Sequence, residues 1–182
     1  MNDWLKEINI GDIASEKMRN IAEVCGISVA ISLMTKLPGI EIYVPTTGKK
    51  NMNLSYIRDH YKSKKISSIS IVLGIARKTV ERMIRRGIPK IKDSDIMSND
   101  RIKLVAEICG RDVAIALIKN FAGDRIVIPM DGFSHARRKY IIRNFSGNNG
   151  LQLAMRCGLH ERSIRKIIQE MYSDSSQTNL FE

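Results

Sequence analysis

The sequence predicts a mainly α fold. Two tandem helical units each carry a short β-strand and a C-terminal helix-turn-helix, and the strands pair as a small antiparallel ribbon in a pseudo-twofold dimer. Three observations predict it. The chain repeats itself at an offset of 84 residues. Glycines interrupt the apolar helical periodicity at matching places in both repeats. Each repeat also holds one short alternating stretch closed by proline.

The repeat reads without a gap. Ala22, Glu23, Cys25, Gly26, Val29, Ala30, Ile31, Leu33, Gly39, Ile42 and Pro45 recur as Ala106, Glu107, Cys109, Gly110, Val113, Ala114, Ile115, Leu117, Gly123, Ile126 and Pro129. Gly48/Gly132, Tyr56/Tyr140, Ile57/Ile141 and Gly74/Gly158 keep the same register. We read this as a tandem duplication. The first unit spans 1–86, with a dimerisation-type region at 15–48 and a helix-turn-helix at 55–86. Residues 87–98, GIPKIKDSDIMS, read as a linker. The second unit spans 99–172, with a dimerisation-type region at 99–132 and a helix-turn-helix at 134–171. The polar stretch 173–182 is expected to be a mobile tail.

Within each unit the elements follow in order. A helix runs up to Cys-Gly, where Gly26 or Gly110 suits a left-handed C-cap. Ser28 or Asp112 is expected to cap a second helix, which stops at Gly39 or Gly123. The stretches IEIYVP and DRIVIP read as strands at 40–44 and 125–128. A lone strand would leave an unpaired edge, so the two are expected to pair with each other. A third helix is expected around 56–61 and 134–145, with Ser134 as cap of the latter.

A glycine-centred helical pair closes each unit. In the second, Ala154 supplies the small residue where the helices approach, and Gly158 supplies the positive φ of the turn. Leu159, Ile164 and Ile167 have the spacing of a buried stripe, faced by Leu153 and Cys157. The first repeats the pattern with Ser70, Gly74, Ile75, Val80 and Met83, faced by Ile69 and Leu73.

Composition narrows the function. Of 182 residues 43% are hydrophobic, enough for a packed core, and no apolar run approaches the roughly 18 residues of a membrane helix. The start, MNDWLKEINIGD, does not read as a secretory signal. Three cysteines without a C-x-x-C pair argue against a disulfide framework or structural zinc. The expected setting is the bacterial cytoplasm, in association with the nucleoid. The net charge is +11. Residues 49–92 hold thirteen basic and two acidic side chains, residues 134–171 eight and two, so everything else sums to −6. Positive charge concentrated on the two helical pairs suits phosphate neutralisation, and double-stranded DNA is the expected partner.

A recognition helix offers its first outward residues to base edges. Those candidates are Arg77, Lys78, Thr79, Glu81 and Arg82 in the first unit, and His160, Glu161, Arg162, Ser163, Arg165 and Lys166 in the second. Arg pairs bidentately with guanine, and Glu accepts from cytosine. Phosphate candidates are Lys62, Lys64, Lys65, Arg85, Arg86, Arg137, Arg138, Lys139 and Arg143. A solvated charge is the competing reading for each one singly. Tyr56 and Tyr140 read as packing anchors and not as recombinase nucleophiles, since no Arg/His cluster accompanies them. Asp93, Asp95 and Asp100 read as linker and capping residues. Cys25, Cys109 and Cys157 read as small buried residues. With His60, His135 and His160 scattered, no metal, cofactor or catalytic constellation is expected.

These residues carry a resemblance. The A-E-x-C-G helix, the capped helix, the strand ending in I-P or V-P, the run Arg143-Asn-Phe-Ser-Gly-Asn-Asn149 and the stretch L-A-x-x-x-G-L-x-E-R-x-I-R-x-I resemble the Mor/C family of phage transcription activators. Nearly all of the second unit is covered and the first more loosely. The first departs in Tyr61-Lys-Ser-Lys-Lys65 and Gly74-Ile-Ala-Arg-Lys78. The resemblance implies a homodimeric activator from a phage or mobile element. Helices and a strand from each subunit would form its dimer core, and two helix-turn-helix modules would reach neighbouring major grooves. It also implies recruitment of RNA polymerase through its alpha and sigma subunits.

Two units in one chain let the polypeptide supply its own partner as a monomeric pseudo-dimer; a homodimer with four reading heads is the alternative. The expected site is an imperfect inverted repeat with halves about one helical turn apart. A repressor or architectural factor would use the same grooves. The run Gln177-Thr-Asn-Leu180-Phe181 resembles the Q-x-x-L-F peptide that docks on the bacterial sliding clamp, so a replication-associated protein is a third reading.

Overall fold

A computed structural model describes the backbone of residues 3–178 and the side chains of residues 4–172. After two 3-10 turns come α1 (Glu16–Cys25), α2 (Ile27–Lys36), β1 (Glu41–Tyr43), α3 (Thr46–His60), α4 (Ile66–Leu73), α5 (Arg77–Arg85) and α6 (Asp93–Ile96). Then follow α7 (Asp100–Cys109), α8 (Arg111–Phe121), β2 (Arg125–Val127), α9 (Ser134–Asn144), α10 (Gly150–Cys157) and α11 (Glu161–Thr178). The fold is mainly helical, with one two-stranded antiparallel sheet, as the periodicity predicts.

Matching sequence gives matching local structure. The Ser15 hydroxyl caps α1 by accepting from the Met18 N–H, and 84 residues on Asn99 caps α7 by accepting from Ile102 N–H. Gly26 and Gly110 end these helices at φ 96° and 105°, with extended ψ instead of the left-handed helical value expected. That extended turn lets the next helix begin at once. So α2 and α8 start at Ile27 and Arg111, with the glycine itself at the N-cap and no side-chain cap. Ser28 and Asp112 therefore lie inside the first turn and are not caps. Ser134 is not a cap either: Phe133 holds that position and the Ser134 hydroxyl donates to the Asp131 carbonyl.

The strands pair Glu41 with Val127, Ile42 with Ile126 and Tyr43 with Arg125. The central pair, Ile42 and Ile126, are repeat counterparts, so the ladder has a local twofold through them. Both are fully buried, while Glu41, Tyr43, Arg125 and Val127 face solvent, with Glu41 and Arg125 paired at 3.1 Å.

The chain divides into two compact units that cut across the sequence repeats. The central unit is Glu41–Val127. In it α3–α5 of the first repeat are assembled with α6–α8, and α3 packs on α6 and α8. Gly48 is required there, because a Cβ would stand 2.7 Å from the Ile96 carbonyl oxygen. The terminal unit joins Met1–Ile40 to Ile128–Glu182, so α1 and α2 share a unit with α9–α11. Each unit thus combines the helical hairpin of one repeat with the closing helical pair of the other.

Three further segments differ from the sequence reading. The loop expected before the third helix is helical in the first repeat, where α3 begins directly after Pro45; in the second it is a turn at 131–133. The linker holds α6, whose Asp95 carboxylate accepts the Lys92 N–H and whose Ile96 is buried. Helix α11 runs on to Thr178, through residues expected to start the tail.

Candidate nucleic-acid interface

The two glycine-turned helical pairs, α4–α5 and α10–α11, are built alike. In the central unit Ile57, Ile69 and Val80 form a buried cluster, with Leu73, Ile75, Met83 and Ile84 packed against it. Gly74 turns the chain at φ 62°, and the Ile75 N–H donates to the Ser70 carbonyl at 3.1 Å. In the terminal unit Leu153, Ala154, Cys157, Ile164 and Ile168 are buried. Gly158 turns at φ 64°, and Leu159 N–H donates to Ala154 at 2.9 Å. Of the expected stripes Val80 and Ile164 are buried, while Ile75, Met83, Leu159 and Ile167 are only partly buried, and Ile168 takes the deeper position in α11.

On α5, Arg77, Lys78, Arg82 and Arg85 are exposed, as is Arg86 just beyond it, with Thr79 and Glu81 half-buried. On α11, Arg162, Arg165 and Lys166 are exposed, as is His160 before it, with Glu161 and Ser163 half-buried. Arg77 Nε donates to Glu81 Oε1 at 2.8 Å, and Arg165 Nη2 to Glu161 Oε1 at 2.7 Å. Lys62, Lys64 and Lys65 are exposed beside α3. Lys64 reaches back over the Tyr56 ring at 5.4 Å and donates to its hydroxyl at 3.2 Å. Tyr56 in turn stacks on His60 at 4.1 Å.

The cations of α9 are placed differently. Arg137 lies half-buried over the Trp4 ring at 5.6 Å and pairs with Asp131 at 3.8 Å. Arg138 is bound to Glu170, and Lys139 to Asp12 at 3.3 Å. Of the four phosphate candidates on this helix only Arg143 is exposed. Burial raises the Asp12 carboxyl, but the Asn9 N–H, Lys139 and Arg143 outweigh it and hold the carboxyl below its ordinary range. Hydrogen bonding from Arg138 likewise lowers Glu170. Burial raises the Cys157 thiol against the opposing charges of Arg137 and Arg156, which suits packing and not nucleophilic chemistry.

Sequence reasoning missed what engages those cations. Trp4, buried at the N-terminal turn, meets Phe133 edge-on and Tyr140 at a tilt, each at 6.0 Å. The one tryptophan of the sequence, set among Leu5, Ile8 and Ile10, was the available signal. Asn149 was also passed over as a structural residue. Its side chain accepts from Ser146 N–H at 3.0 Å and donates to the Asn144 carbonyl at 2.8 Å, holding the turn between α9 and α10.

The other sequence candidates have local partners. Asp93 pairs with Arg111 at 3.0 Å and Asp100 with Lys103 at 3.1 Å. Among the described residues no group of three or more His, Cys, Asp or Glu is placed to hold a metal, and no helix is long and apolar enough to cross a membrane. The clamp-type peptide lies outside the described residues: Leu180 and Phe181 fall beyond the backbone limit and Gln177 beyond the side-chain limit.

No curated protein and no solved structure matches the chain. The Mor transcription activator family does, over residues 90–180, which run from the linker through α11. That match covers half of the chain and takes in one complete hairpin, strand and helix-turn-helix; the chain belongs to the Mor transcription activator family.

Proposed function

We propose that this protein is a sequence-specific double-stranded-DNA-binding promoter activator that recruits RNA polymerase through its alpha and sigma subunits. It reads an imperfect inverted repeat with two non-identical helix-turn-helix modules. Membership of a transcription activator family implies DNA binding. The observation that carries the reading to both halves of the chain is the pair of glycine pivots, Gly74 and Gly158, at φ 62° and 64°, each leading into a helix whose outward face is cationic. Recognition helices of this kind read the major groove with their first residues.

The same proposal takes the chain as a tandem duplication that serves as its own dimerisation partner. Supporting it are the strand register centred on Ile42 and Ile126 and the caps Ser15 and Asn99, each pair 84 residues apart. A polymerase-dependent transcription assay on a weak promoter carrying an enriched site tests the activator role. Output should rise several-fold over the promoter alone. Binding without a rise, or with a fall, would make the protein a repressor or architectural factor.

A further inference from the structure

Aligned at the 84-residue offset, the two recognition helices match conservatively at most positions of their first two turns. Lys78 matches Arg162, Thr79 Ser163, Val80 Ile164 and Arg82 Lys166. In the first two turns the exceptions are the first and fifth positions, where Arg77 and Glu81 face Glu161 and Arg165; further along, Arg85 and Arg86 face Gln169 and Glu170. Arg77 with Glu81 and Glu161 with Arg165 form the same i,i+4 rung, at 2.8 and 2.7 Å, with the charges exchanged.

Helix stability does not account for the α5 version. A carboxylate belongs near the positive N-terminal end of a helix and a cation near the other, so Glu followed by Arg is the favourable order. Helix α11 has that order. Helix α5 reverses it and carries no acidic residue in its first turn, placing Arg77 and Lys78 against the dipole. A cation kept at that unfavourable place, two-thirds exposed and held by Glu81, is set to meet an outside acceptor. Glu81 occupies Nε of Arg77, which leaves both terminal nitrogens outside that bond, and guanine offers two acceptors, O6 and N7, to such a fork. In α11 Glu161 takes one terminal nitrogen of the exposed Arg165, leaving Nε and the other outside that bond.

We propose that these rungs are the specificity elements that make the two half-sites unequal: α5 reads a guanine from its first residue, α11 from its fifth. The inference rests on the DNA-reading function proposed above. Four residues along a helix span about 6 Å, so the guanine preference moves by roughly two base pairs between the halves.

Selection of double-stranded DNA from a random pool tests this with three proteins: the wild type, Glu161→Arg with Arg165→Glu, and Arg77→Glu with Glu81→Arg. Each double variant keeps the net charge, so phosphate attraction is unchanged, and far-UV circular dichroism confirms helix content. The wild type should enrich an inverted repeat with the guanine displaced between halves. The α11 exchange should turn its half into a copy of the other, shifting preference to a symmetric site by about five- to a hundredfold. The α5 exchange should give the other symmetric site. A wild type that enriches an asymmetric site which both variants also enrich overturns the rung proposal and leaves DNA reading intact, as does a symmetric wild-type site. No wild-type enrichment at all defeats the DNA-reading function itself, and the rungs with it.

Discussion

In the central unit Lys62, Lys65, Arg85 and Arg86 stand exposed around α3–α5, whereas in the terminal unit Arg137, Arg138 and Lys139 each pair with a carboxylate of the same unit. The two regions share a glycine-turned helical pair and differ in what their cations do. The terminal unit packs its third helix with the N-terminal segment, which brings Trp4 and Asp12 to α9, and α11 adds Glu170. A charge count treats +6 over 134–171 as available to phosphate, yet three of those cations are engaged internally. On the proposed function, the electrostatic grip on DNA falls mainly to the central unit, and the terminal unit is the more internally braced of the two.

The largest effect should come from removing the brace that only the terminal unit has. Trp4→Ala empties a fully buried aromatic site and is expected to cost about 3–5 kcal/mol. Hydrogen exchange should locate the loss in α9 and α10 and leave α4 and α5 protected as before. Equal deprotection of α4 and α5 would erase the distinction between the units.

Next come the pivots, where the units should behave alike. Gly74 and Gly158 sit in the left-handed region with open space around them, so a β-branched residue meets backbone strain and no clash. Gly74→Val and Gly158→Val should each cost at least about 1–3 kcal/mol in denaturant melts. A large difference between them would mean the turns are not equivalent.

Salt dependence then separates the units again. Replacing Lys62, Lys65 and Arg86 with Ala should lower the slope of log K against log salt by about 3. Replacing Arg138 and Lys139 should lower stability and change the slope by less than about 1. The reverse result would return those cations to phosphate contact.

The smallest effect concerns pH. Asp12 has a folded pKa below its unfolded value, so its contribution to stability is present above the ordinary carboxylate range. It is lost as pH falls below about 4 and through the folded value. Asp12→Asn should flatten the acid limb of terminal-unit stability and leave neutral-pH binding of DNA unchanged.

Much of this was legible because it is local. Gly74 and Gly158 announce their turns by type and spacing, and Ile42 and Ile126 announce a strand by alternation bounded by proline. The misplaced caps were local too, but they hung on ψ at Gly26 and Gly110: extended ψ starts the next helix two residues early and strands Ser28 and Asp112 inside it. What was not legible was long-range. Nothing near Arg137, Arg138 or Lys139 says that Trp4, Asp12 and Glu170 will meet them. Nor does any local signal say that each helical hairpin will share a compact unit with the closing helical pair of the other repeat.

The central claim is that one chain carries both readers of one site. Light-scattering mass of the complex with a fragment enriched from the random pool tests it directly. The account expects one 20.6 kDa chain on a fragment with two unequal half-sites about one helical turn apart. Two chains on that fragment, protecting a longer site, would contradict it and make the duplication an addition of reading heads in place of an internal partner.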